Sequence, residues 1–265
     1  MIGIFDSGFG GLQSLKYFRQ ICPEYDYLYF ADSGNAPYGN KSNEEIKELT
    51  YKGLNYLFEN GAKIVILACN TASACAIRSW QNEFPEKKVL SVSIPGIEKI
   101  IESKASNICV LATPQTIKSG FYINKLQELE PEIPYCIYNI PALELVEIIE
   151  SGNVDNLLIN KILMSKLGNL PFDCTTFVLG CTHYPIVLDN IVKCLNPNIS
   201  IINPSWEAAK KFSQYLNNHE NIKNKLLKNS TVNIVTSGDL GKFKTIANKI
   251  INGEFNVNNY SNINS

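Results

Sequence analysis

Strand-like, mainly apolar runs recur along the chain at 2–5, 27–31, 64–68, 89–92, 108–112, 135–140, 176–179, 200–202 and 232–235. Runs of that length, bounded by turn formers, read as strands buried on both faces. Between most of them the apolar residues fall at helical spacing, as Ile46, Leu49, Leu54 and Leu57 do within 44–60, the buried stripe of a covering helix. This alternation predicts an α/β fold whose sheets are mainly parallel and flanked by helices. The Asn- and Ser-rich stretch after Gly253 has no such pattern and is expected to fray.

Two of the runs are near copies. Ile64-Val65-Ile66-Leu67-Ala68-Cys69-Asn70-Thr71 and Thr176-Phe177-Val178-Leu179-Gly180-Cys181-Thr182-His183 each pass from apolar residues through a small one to a cysteine and then short polar side chains. Each cysteine therefore stands at a strand end, where ligands of open α/β sheets bind. Two thiols so placed suggest a paired-thiol mechanism. They lie about one small α/β domain apart, which points to a pseudo-repeat of two halves. Pro95-Gly96 and Asn203-Pro204-Ser205 are candidate hinges or crossovers.

With 265 residues, 45% of them hydrophobic, the chain can bury a sizeable core in one large or two small domains. A net charge of −1, with both signs interspersed, gives no electrostatic case for nucleic acid or an anionic membrane as partner. Residues 1–6 carry no basic leader and no later run approaches membrane-spanning length, so the expected location is cytoplasmic. The eight cysteines include no C-x-x-C pair and the only histidines are His183 and His219. A metal site is therefore not expected, and the thiols are read as reduced. Cys109, in an apolar run, and Cys75, in a helical stretch, are expected to be buried and inert.

Several residues could carry chemistry. Asp6-Ser7-Gly8-Phe9-Gly10-Gly11 leads from a strand through a Gly-rich turn into a helix, a setting that presents amides to an anion. Gln13 stands where a dinucleotide fingerprint needs its third glycine, and no phosphate-loop Lys follows. Asp6, an acid ending a buried strand, needs solvation or hydrogen bonds, or else caps the helix. Pro37-Tyr38-Gly39 forms a tight turn able to offer amides to a carboxylate. Thr113 and Thr116 lie just past another strand end, where they either anchor a carboxylate or cap a helix. His183, two residues after Cys181 and ahead of Pro185, can tune that thiol or pass a proton. Glu144, Glu147 and Glu150 share roughly one helix face, and nothing in the stretch itself singles one out.

Taken together and in order, Asp6-Ser7-Gly8-Phe9-Gly10-Gly11, Pro37-Tyr38-Gly39, Ala68-Cys69-Asn70-Thr71-Ala72-Ser73-Ala74 and Gly180-Cys181-Thr182-His183-Tyr184-Pro185 closely resemble the bacterial glutamate racemases of the aspartate/glutamate racemase family. Thr113-Pro114-Gln115-Thr116 and Thr236-Ser237-Gly238-Asp239 extend the likeness over nearly the whole chain. The resemblance implies a cofactor-independent isomerase interconverting L- and D-glutamate, the D form serving peptidoglycan synthesis. It implies two similar α/β domains facing each other across the active site, here 1–94 plus 206–265 with Cys69, and 95–205 with Cys181. Cys69 and Cys181 would be the acid and base, Asp6 pairing with the first and His183 with the second. Ser7, Pro37, Tyr38, Gly39, Asn70, Thr71, Thr113, Thr116 and Thr182, with Asp6 and His183, would bind substrate. The family's helper glutamate maps best onto Glu147, with Glu150 second. Family members are often homodimers, but no sequence patch here fixes an interface.

The chemistry suits these residue types. Inverting a carbon centre by proton transfer needs a base on one face and an acid on the other. One thiol starts ionised and the other protonated, and a thiolate beside an anionic substrate needs compensating donors. One departure is Ile94-Pro95-Gly96, where many relatives carry Glu-Pro-Gly; it lies away from the catalytic motifs. Two other functions compete: a racemase for aspartate, one methylene away, and a thiol hydrolase with Cys181 as nucleophile and His183 as base, which leaves Cys69 unexplained.

Overall fold

The structure is a computed structural model describing residues 1–152 and 154–260. The chain opens with β1 (Ile2–Asp6), α1 (Gly11–Ile21), β2 (Tyr27–Ala31), α2 (Asn43–Glu59), β3 (Ile64–Leu67), α3 (Asn70–Glu83) and β4 (Lys88–Ser91). It continues through α4 (Ser93–Ser103), β5 (Asn107–Ala112), α5 (Pro114–Lys118), α6 (Phe121–Leu129), β6 (Cys136–Pro141), α7 (Leu143–Ser151), α8 (Asn156–Leu167), β7 (Thr176–Gly180), α9 (Leu188–Cys194) and β8 (Ser200–Ile202). The last elements are α10 (Pro204–Asn218), α11 (Glu220–Lys223), β9 (Val232–Thr236), α12 (Leu240–Ile250) and β10 (Asn256–Asn259).

The strands make two sheets, ordered β10-β9-β2-β1-β3-β4 and β6-β5-β7-β8, in which every described pairing is parallel. The run β2-β1-β3-β4 and the whole second sheet share one order, with β1 matching β5 and β3 matching β7. Cys69 and Cys181 therefore follow topologically equivalent strands. The fold is α/β with two domains, one built on each sheet.

Helices cover both faces of each sheet, as fully buried parallel strands require. Leu12, Leu15 and Phe18 of α1 pack with Phe212 of α10 and Phe243 of α12 on one face of the larger sheet. Leu54 and Leu57 of α2 and Ile77 of α3 cover the other face. In the second domain Leu145, Ile149, Ile159 and Ile191 pack on one face and Ile97, Ile100, Tyr122 and Leu126 on the other. Helix α2 starts at a capping box in which Ser42 and Glu45 satisfy each other's backbone N–H groups. No helix among the described residues is long and apolar enough to cross a membrane.

The tail departs from expectation. Residues 256–259 form an edge strand on β9, with Val257 ↔ Ile234 in register and Val257 buried in the core; residues 261–265 lie outside the described residues. Cys75, expected to be buried, is half-buried and its thiol donates to Asn43 Oδ1 at 3.1 Å. Cys109 is buried as expected.

Candidate active site

Both thiols lie at the carboxyl ends of their strands and are buried. Cys69 is the N-cap of α3: its Sγ accepts the Ala72 N–H at 3.4 Å and its S–H donates to Ser7 Oγ at 3.4 Å. The N-terminus of a fourteen-residue helix favours negative charge at that sulfur. Against it, burial and then the Asp6 charge push the thiol up to about 12, the charge of Cys181 adding to the shift and the hydrogen bonds with Ser7 and Ala72 opposing it. The two sulfurs are thus within electrostatic reach of each other.

Around Cys181 the partners differ. His183 Nδ1 lies 3.4 Å from Cys181 Sγ, and the other ring nitrogen, Nε2, meets Glu150 Oε1. Burial pulls the imidazole down, but the Cys181 charge and contact, together with Glu150, raise it well above its ordinary value, which favours the protonated ring. Glu150 Oε1 also accepts the Phe9 N–H at 2.9 Å, a bond from the first domain to the second. Glu147, expected as the helper, is instead exposed, and the contact with His183 belongs to Glu150. The signal was present in the helix: Leu145, Val146 and Ile149 define the buried side of α7, which puts Glu147 opposite and Glu150 at its edge.

Asp6 is fully buried at the end of β1. Its Oδ1 accepts the Gly8 N–H at 2.9 Å and its Oδ2 the Thr182 hydroxyl at 3.0 Å. It does not cap α1, whose N-cap is Gly10 with no side-chain bond. Burial pushes its carboxyl up to about 6, opposed by His183, Gly8 and Thr182.

The threonines expected near a carboxylate converge. Thr71 Oγ1 and Thr113 Oγ1 are 3.0 Å apart, Thr113 Oγ1 and Thr116 Oγ1 also 3.0 Å, and Thr116 Oγ1 and Thr71 Oγ1 3.4 Å. Thr113 also caps α5 through the Thr116 N–H, the helix-cap reading of this pair. The triangle sits where the N-termini of α3 and α5 meet, joining the two domains. Gly39 completes the contact, since a Cβ there would stand 2.8 Å from both Leu143 Cδ1 and Thr113 Cβ. Tyr38 beside it gives its phenol to Asp32 Oδ2 at 2.6 Å, leaving only the backbone of Pro37-Tyr38-Gly39 for a ligand. Asp32 also accepts from Asn35 and Ser237 and so anchors this turn; nothing in the sequence pattern had singled it out.

Asn70, the first residue of α3, accepts the Ser93 hydroxyl at 2.9 Å and the Tyr122 hydroxyl at 3.4 Å on Oδ1. Its Nδ2 is buried without a partner. Among the described residues no three His, Cys, Asp or Glu side chains could together hold a metal ion. The arrangement can do proton chemistry at two sulfurs and bind an anion at two helix starts lined with hydroxyls.

No family model matches the chain. It is 34% identical over 261 residues to the glutamate racemase of Streptococcus agalactiae serotype III, covering 97% of this chain and 96% of that protein. The crystal structure of a glutamate racemase isoform from Bacillus anthracis superposes with a TM-score of 0.88 at 29% identity, covering 97% of this chain and 96% of that one. That of Francisella tularensis glutamate racemase in complex with D-glutamate gives 0.84 at 30% identity, covering 97% and 95%. Near-complete coverage at this identity, on the same two-domain fold, means that the chain is an isomerase belonging to the glutamate racemase family.

Proposed function

We propose that this protein interconverts L- and D-glutamate without a cofactor, Cys69 and Cys181 working from opposite faces of the α-carbon. The observation that carries this reading is a thiol at each of two equivalent strand ends, each with its own proton-handling neighbours. In one direction a thiolate takes the α-proton while the opposite thiol returns a proton to the other face, leaving the two sulfurs with exchanged protonation states. Cys69, held as a thiol by burial, supplies the returned proton in the direction where Cys181 is the base. His183, kept protonated beside Cys181, is placed to give or take a proton at that sulfur, and Glu150 positions it. The hydroxyls of Thr71, Thr113 and Thr116, the Asn70 amide and the start of α3 would bind the α-carboxylate and stabilise the charge that builds on it when the α-proton leaves. Asp6 and Ser7 would face the ammonium group and Cys69. The product would feed peptidoglycan assembly in the cytoplasm.

The test is α-proton exchange of L-glutamate in heavy water with wild type, Cys69→Ser and Cys181→Ser and no added cofactor. Wild type yields D-glutamate carrying solvent deuterium, and each variant loses net racemisation. Exchange with aspartate but not glutamate moves the substrate and keeps the mechanism. The Cys181–His183–Glu150 line also suits a thiol nucleophile, and an acyl adduct trapped on Cys181 would favour a hydrolase instead.

A further inference from the structure

A side-chain amide is a rigid plane, so whatever holds its oxygen also aims its nitrogen. The Asn70 oxygen is held by two hydroxyls, one from the junction between the domains and one from the other domain. Ser93, first residue of α4, donates from 2.9 Å, and Tyr122 of α6 from 3.4 Å. Tyr122 belongs to the second domain, where it packs with Ile97 and Ile100 of α4 on Ile108, Val110 and Val178 of its sheet, whereas Ser93 stands at the junction, two residues past β4 of the first sheet, where the chain enters α4. Ser93 is itself fixed, its N–H donating to Ser91 Oγ at 3.0 Å. Tyr122 remains a neutral phenol and so a donor, because burial, and then the Cys181 charge, raise it. All three residues are buried, and in that setting the unpartnered Nδ2 of Asn70 is an exception that asks for an explanation. A ligand oxygen supplies one.

We propose that Ser93 and Tyr122 are positioning residues that seat the Asn70 oxygen when the two domains meet, leaving its Nδ2 to a carboxylate oxygen of the bound amino acid. The inference rests on the reading of Asn70 as a substrate ligand and adds to it: the amide is set at the junction, with one of its two donors supplied by the domain that does not carry it. Binding geometry at the Cys69 side is then coupled to domain contact, and losing the hydroxyls weakens substrate affinity more than it slows proton transfer.

The experiment measures steady-state racemisation of glutamate by circular dichroism for wild type, Asn70→Ala, Ser93→Ala, Ser93→Cys, Tyr122→Phe and the double variant Ser93→Ala/Asn70→Ala, with the melting temperature of each. Ser93→Ala and Tyr122→Phe are expected to raise KM about fivefold, the scale of one hydrogen bond, with kcat within about twofold. Ser93→Cys, of similar volume with a weaker donor, falls between wild type and Ser93→Ala. In the Asn70→Ala background, Ser93→Ala adds less than about twofold, because the group it positions is gone. Unchanged KM in both hydroxyl variants while Asn70→Ala raises it overturns the positioning role alone. An undiminished Ser93 effect in the double variant does the same. Unchanged KM in Asn70→Ala overturns the ligand reading and this inference with it, and absence of racemisation by wild type removes both along with the proposed function.

Discussion

The Thr182 hydroxyl donates to Asp6 Oδ2 across 3.0 Å, tying the residue that follows Cys181 to the last residue of β1. The tie puts a carboxyl in a fully buried position, and burial sets its acidity. Pushed up to about 6 from an ordinary 3.8, Asp6 holds a proton in the folded state that it gives up when unfolded. Its favourable contribution is complete below about pH 4 and lost as the pH rises through 6. Above that, the buried carboxylate is a burden of up to about 3 kcal/mol. Asp6→Asn should therefore raise stability at pH 7.5, leave it nearly unchanged at pH 4, and lower kcat at least about tenfold. Urea unfolding at the two pH values checks the first part; equal gains at both would show that burial of charge is not the cause.

The two glutamates of α7 separate cleanly. Glu150→Gln should lower kcat about 10- to 100-fold, since it weakens the charge that keeps His183 protonated. Glu147→Gln, on an exposed face, should stay within about twofold of wild type. Steady-state kinetics of both variants decide the assignment, and a larger loss in Glu147→Gln reverses it.

Glycines near the site offer a structural counterpart. A Cβ on Gly8 would stand 2.1 Å from Glu150 Oε1, the far end of a flexible side chain that can move away. Gly8→Ala should thus cost little stability, about 1 kcal/mol or less, yet lose activity as Glu150→Gln does. On Gly10 the same atom would meet Thr182 Oγ1 at 2.5 Å, His183 Nδ1 at 2.6 Å and the His183 backbone nitrogen at 2.8 Å. Backbone cannot yield so readily, and Gly10→Ala should cost activity and about 2 kcal/mol or more of stability. Melting curves beside activity assays distinguish the two variants.

For His183 the pH dependence runs towards alkali. Its folded-state pKa is raised above the ordinary 6.5, so its stabilising contribution is present below that value and lost as the pH climbs through the raised one. The difference in melting temperature between wild type and His183→Gln should be largest near pH 6 and shrink on going to alkaline pH. A difference that grows with pH would contradict the imidazolium.

Much of the architecture was legible because central parallel strands such as β1, β3 and β7 are buried along their whole length and edge strands such as β6 and β8, though partly exposed, still carry two isoleucines each; nine strands announced themselves through such apolar residues. The tenth did not: Asn256-Val257-Asn258-Asn259 pairs on one side only and buries a single apolar side chain, so its sequence looks like a polar tail. The thiols, Asp6 and the threonines are legible as reactive or polar side chains at or just past strand ends, and the structure gathers them beside one another. Motif likeness ranks Glu147 ahead of Glu150, whereas the buried side of α7 brings Glu150 to His183 and leaves Glu147 exposed. Ser93, Tyr122 and Asp32 escaped notice because each acts through a partner far away in sequence, and a hydroxyl within a helix carries no local mark of what it holds.

The shared strand order of the two sheets bears on rate laws. Mirror-image substrates have equal free energy in water, so their interconversion has an equilibrium constant of one, and kcat/KM must be the same for either hand. A repeat that places one thiol per sheet supplies two thiols equivalent in position, but their surroundings are unlike: a serine hydroxyl stands by Cys69 and an imidazole backed by a carboxylate by Cys181. That unlikeness can surface only in how each direction divides its rate between turnover and saturation. The enantiomer with the higher kcat must have the higher KM in the same proportion.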